Sequence, residues 1–116
     1  MYVDGFVTPV PKKNKEKYLA HLAEAKDFMK DFGLVRMVEC WQDDVKKGQQ
    51  TDFFRAVEAK EDEAVLFSWF EWKSKEDRDV GMKKMMEDKR MENMEMPFDG
   101  KRMIYGGFDC IFDEKF

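Results

Sequence analysis

The stretch Ala64-Val-Leu-Phe-Ser-Trp-Phe-Glu-Trp72 decides the fold, because it is apolar on both of its alternating faces. Val65, Phe67 and Trp69 fall on one face, and Leu66, Phe70 and Trp72 on the other. Its aromatic and β-branched content suits a pleated strand, and it is bounded by polar turns. A strand with one face in water alternates apolar and polar residues. This one does not, so something must cover each face.

Upstream, Glu61-Asp62-Glu63 is a short acidic turn with Phe54–Lys60 on its far side, which is a hairpin signal. Whether 54–60 continues the preceding strand or forms an extra one stays open. Before it, Leu34–Gln42 reads as a strand, followed by the polar loop 43–53 with Gly48 as its turn residue. A helix over 14–32 precedes that strand. Tyr18, Leu22, Ala25, Met29 and Phe32 recur at helical spacing, Asn14 stands at the cap position, and Gly33 suits the left-handed position past the end. The chain opens with a strand over 2–9, ended by Pro9 and Pro11.

Downstream, Ser74 followed by Asp77 resembles a capping box and starts a helix over 75–87. The Met-rich 88–95 reads as a short irregular helix, and Pro97-Phe98-Asp99-Gly100 as a turn. Arg102–Phe112 is the last strand. There Ile104, Phe108 and Phe112 oppose Met103, Tyr105 and Ile111, so both faces are again apolar.

Strand, helix, strand, strand, helix, strand is the order of a ferredoxin-like βαββαβ unit of the α+β class, a single domain over 1–116. Two helices cover one sheet face. The loop 43–53 is too polar to cover the other, so a second copy of the chain, sheet against sheet, is the expected partner.

Composition excludes several function classes. With 43% hydrophobic and 40% charged residues, a packed core and a solvated surface are both expected. A formal charge of -4 with mixed signs speaks against nucleic acid. Lys12, Lys13, Lys15 and Lys17 read as a solvated helix start rather than a phosphate patch. No membrane span and no signal peptide are seen, so the expected location is cytoplasmic. Cys40 and Cys110 lie in apolar strand contexts, which predicts buried free thiols, with a disulfide as the lesser alternative.

Three stretches carry a resemblance: the opening MYVDGFV-x-PVP, the central ECWQDDV with RAV-x-AKEDE-x-V-x-FSW, and the closing MPFDGKRMIYGGF. They resemble the YbaA-like family of bacterial proteins, domain of unknown function 1428. The resemblance implies a dimeric α+β barrel of two facing ferredoxin-like sheets. It also implies a superfamily that includes cofactor-free monooxygenases, isomerases, haem-degrading enzymes and ligand-binding proteins. Phe54, Met82 and Lys89 depart from the family pattern, in which Pro, Asn and Pro are common at those places.

Few residues carry chemistry. Arg78 falls with Met82 and Met85 on the helix side expected to face the sheet, where a guanidinium needs an acceptor. It either anchors an anionic or carbonyl-bearing ligand, or pairs with an acid such as Glu39 or Asp4. Ser68 and Tyr105 are hydroxyls on apolar strands that could orient a ligand or bond nearby backbone. Gly106-Gly107 marks a bulge or a close approach to the backbone. Asp43 and Asp44 with Glu39 form a paired-carboxylate site for acid/base work, a weak cation site, or solvated turn residues. Cys40 has no base linked to it, and His21 alone makes no metal site, so no metal and no cofactor is expected. The Met run from Met82 to Met96 reads as adaptable packing. The expected function is therefore binding of a small apolar or aromatic molecule between helices and sheet. Ligand-binding candidates are Arg78, Ser68, Tyr105, Glu39 and Asp43. The alternative is a cofactor-free monooxygenase- or isomerase-like enzyme, and a weaker third reading is an interaction module using the 43–53 loop.

Overall fold

The computed structural model describes all of residues 1–116. Four strands, β1 (Tyr2–Pro11), β2 (Arg36–Trp41), β3 (Glu63–Trp72) and β4 (Ile104–Asp109), form one sheet in the order β2-β3-β1-β4. All neighbours are antiparallel. Helix α1 (Lys15–Met29) joins β1 to β2, and α3 (Lys75–Glu87) joins β3 to β4. The ferredoxin-like order expected from the sequence is therefore the order observed.

Register fixes the faces. Phe67 pairs with Val7 and Cys40, Val7 pairs with Ile104, and Val3 pairs with Phe108. Partners share a face, so Val7, Cys40, Phe67, Ile104 and Phe108 lie together on the side away from the helices. The other parity brings Thr8, Leu66, Ser68, Phe70 and Glu39 beneath the helices. There Ala25, Phe28, Met29 and Phe32 pack with Met85, while Val10, Tyr18 and Leu66 form a second cluster.

Several expected details change. Residues 54–60 are not a strand. Phe53–Ala56 forms a short helix, α2, whose cap Asp52 accepts from the Arg55 N–H at 2.8 Å. β3 already has β1 and β2 as neighbours, so 54–60 cannot pair with it as the other arm of a hairpin. The Phe53 ring meets Phe67 edge-on at 6.1 Å, so the 43–56 region covers one end of the open face. Helix α1 ends in a 3-10 turn over Lys30–Phe32, and Gly33 takes the expected left-handed backbone at φ 90°. Asn14 makes no side-chain cap, and its Nδ2 instead donates to the Pro97 carbonyl at 3.0 Å. A one-turn helix, α4 (Lys89–Glu92), stands in the Met-rich stretch. The last strand stops at Asp109, leaving Ile111 and Phe112 exposed beyond it. Cys40 and Cys110 are free thiols, but neither is buried: Cys40 is exposed on the open face and Cys110 half-buried. No helix is long and apolar enough to cross a membrane.

Candidate functional site

Antiparallel register puts Glu39 of β2 directly beside Ser68 of β3, on the face under the helices. Thr8 of β1 belongs to the same surface. Above them, α1 places Tyr18 on its apolar stripe. A buried tyrosine hydroxyl needs a partner, and this one donates to the Glu39 carboxylate at 3.1 Å. Tyr18 is also held by Phe98, its ring centroid 5.9 Å away, and by His21 at 6.2 Å.

These groups lie at the polar end of a cavity of about 220 Å³ between α1, α3, the 91–103 segment and the sheet. Thirteen of its 17 lining residues are hydrophobic, and seven of them are methionines, among them Met29, Met82 and Met103. Unbranched thioethers fill irregular space and rearrange at low cost. A wall of them is adaptable where a wall of β-branched residues would be stiff. A wider, more polar groove between α1 and residues 93–97 adjoins the cavity and shares His21 and Met96 with it.

Electrostatics sharpen the polar end. Burial raises the Glu39 pKa above the usual carboxylate range, against hydrogen bonds from Ser68 and Tyr18 that lower it. Burial, then the Glu39 charge and hydrogen bond, push the Tyr18 phenol well above its ordinary value. His21 is lowered by burial, with Glu24 opposing. At neutral pH the imidazole is accordingly uncharged. No Lys or Arg lines the cavity.

A family model described as "Protein of unknown function (DUF1428)" matches residues 1–100. The chain belongs to the DUF1428 family. It is similar to the uncharacterised protein YbaA of Escherichia coli K12, with 55% identity over 115 residues, 97% of this chain and 98% of the relative. The same values hold for YbaA of Shigella flexneri. Among solved structures it is similar to a dimeric ferredoxin-like protein from an uncultured marine organism. The TM-score is 0.56 at 12% identity, covering 100% of this chain and 98% of that one. At that identity the likeness concerns the fold.

Because the DUF1428 relatives are themselves uncharacterised, the site must be read from its own residues. Of the five candidates read from the sequence, Glu39 and Ser68 come together at the cavity. Arg78 does not reach it. Its Nε and Nη2 grip Asp4 at 2.8–3.2 Å, its Nη1 donates to Asp79 at 3.0 Å, and it lies over the Tyr2 ring. Asp4 is buried and also accepts from the Trp72 indole at 2.8 Å, so this guanidinium is spent on the fold. Tyr105 stands on the edge strand, 71% exposed, stacked on Phe6 outside the cavity. Asp43 follows β2 beside a depression with Cys40 and Phe53, and Asp44 pairs with Lys46 at 2.8 Å, so neither joins Glu39. Gly106 and Gly107 make no bulge, since the ladder runs through them in register. A Cβ at Gly107 would instead strike the Tyr2 hydroxyl and Arg78, so this is the close-approach case.

Sequence reading missed Tyr18, which it assigned to the core stripe. The available signal was its hydroxyl, which an apolar stripe cannot satisfy without an acceptor below. Thr8 and His21 were missed as lining residues because a cavity needs three elements to define it.

Proposed function

We propose that this protein is a cytoplasmic homodimer that binds a small apolar or aromatic molecule in the cavity between helices and sheet. One observation carries the binding reading: an apolar cavity of about 220 Å³ with Glu39, Tyr18 and Ser68 converging at one end. Ligand sites are mostly apolar hollows with a few placed polar groups. For scale, an apolar cavity of about 150 Å³ takes benzene. The dimer is supported by the exposed apolar sheet face and by the dimeric state given for the marine ferredoxin-like protein. The cytoplasmic location is supported by two free thiols.

Ligand-observed NMR with toluene, phenol and indole tests the binding reading. The expected result is saturable binding that disappears in Ala25→Leu, a substitution that fills the cavity from α1. Binding unchanged in a folded Ala25→Leu protein would move the site elsewhere.

A second reading, a cofactor-free enzyme of the isomerase or monooxygenase kind, is favoured by the Tyr18–Glu39 pair. A carboxyl whose pKa is raised toward neutrality suits proton abstraction next to a carbonyl. Incubating a bound carbonyl compound in deuterated water separates the readings. Deuterium exchange at the adjacent carbon that needs Glu39 supports the enzyme, and its absence leaves a binder.

A further inference from the structure

Two buried carboxylates in this chain have a guanidinium partner. Asp4 is held by Arg78, and Glu63 by Arg102 through contacts of 2.6 and 2.7 Å. Glu39 is different. It is half-buried at the end of an apolar cavity, and its hydrogen-bond partners are the uncharged hydroxyls of Tyr18 and Ser68. The titratable groups lining the cavity from α1 are Tyr18 and His21, and neither carries positive charge at neutral pH. Lys15, at the start of α1, lies over the Trp41 ring at 5.3 Å on the same sheet face and makes no ion pair with Glu39. β1 offers Thr8, and α3 and the 91–103 segment offer methionines and Phe98. A carboxylate drawn out of water without a cation is costly, and a cation with donors to spare removes that cost.

We propose that the missing cation is the ligand's: the cavity takes a small primary amine, with its ammonium on Glu39 and its apolar body among the methionines. This rests on reading the cavity as a ligand site and names the class of ligand. An ammonium supplies three donors. One or two go to the carboxylate, and the Ser68 and Thr8 hydroxyls are acceptors on the same face. The apolar remainder meets polarizable sulfur and the Phe6–Phe70 pair, whose centroids are 4.8 Å apart. An anionic ligand is disfavoured, because nothing lining the cavity balances a second negative charge.

The experiment is calorimetric or NMR titration at neutral pH with benzylamine, benzyl alcohol, toluene and benzoate. These share one ring and differ at the polar end. Benzylamine is expected to bind at least about tenfold tighter than benzyl alcohol, as a charge-assisted hydrogen bond outranks a neutral one. Benzoate is expected not to bind. Glu39→Gln should bring the amine down to the alcohol's affinity, while Tyr18→Phe, which keeps the carboxylate, should retain the preference. Alcohol or toluene binding as tightly as the amine overturns the amine proposal and leaves the cavity as a ligand site. Failure of all four probes overturns both. If Glu39→Gln does not fold, the ranking of the four probes on the unaltered protein still decides.

Discussion

Asp4 shows how far one residue's role depends on its neighbours. It is 3% exposed and accepts from both Arg78 and Trp72. Asp4→Ala would leave Nε and Nη2 of Arg78 and the Trp72 indole N–H without their acceptor, an expected loss of about 3 kcal/mol in urea unfolding. Ligand affinity at the cavity should not change, because the network lies outside its lining. Glu39 answers differently. Its pKa is raised in the fold, so the folded state takes up a proton before the unfolded chain does. Its contribution therefore favours folding below its ordinary value of 4.5 and is lost as pH rises through the folded value. Glu39→Gln is expected to be more stable than the unaltered protein at neutral pH, with the advantage shrinking as pH falls toward 4.5. Asp52, Glu63, Asp79, Asp88 and Asp99 are all lowered by hydrogen bonds and arginine or lysine partners, so they act in the opposite sense and lose stability in acid. Only the difference between the two proteins, measured across pH, isolates Glu39. An advantage that grows in acid would contradict the assignment. Asp4 was legible in the sequence as one of two possible partners for Arg78, but the choice was not, because pairing across 74 residues depends on sheet register.

At the scale of elements, the two long helices were legible because their apolar stripes, and for α3 its cap, are local. Ser74 accepts from the Asp77 N–H at 3.1 Å, and α3 runs over the residues its pattern marks. Residues 54–60 were misread because short apolar runs suit helix and strand alike, and the deciding fact is the Asp52 cap before them. Gly81 tests how closely α3 sits on the sheet. A helical glycine usually gains stability on replacement by alanine. Here an added Cβ would run into the Phe32 carbonyl and the Trp72 ring, both of which are fixed parts of the core. Gly81→Ala is therefore expected to destabilise by about 1–3 kcal/mol. A stabilised variant in chemical denaturation would mean that α3 can ride away from the sheet.

For the whole molecule, strands apolar on both sides were legible from Ala64–Trp72 alone. Which side met the helices was not, since that needs the register of all four strands. The register now names the uncovered side. Phe67, Ile104 and Phe108 are 50%, 46% and 63% exposed there, with Cys40 beside Phe67. Helix α2 shields one end through Phe53, and the remainder of the face has no cover within the chain. A contiguous apolar face of this kind marks a partner surface, and a self-complementary one closes a pair about a two-fold axis. Light scattering across micromolar concentrations should give twice the 13.9 kDa chain mass. Phe67→Glu with Phe108→Glu should give the single-chain mass, because each places a charge on the uncovered apolar face. Cys40 supplies an independent readout on the same face: maleimide should label it slowly in the unaltered protein and rapidly in the double variant. The helix-side cavity is untouched by either substitution, so ligand affinity should persist in the monomer. A single-chain mass for the unaltered protein, with Cys40 labelled at the rate of an exposed thiol, would refute the pairing while leaving the cavity's chemistry as it stands.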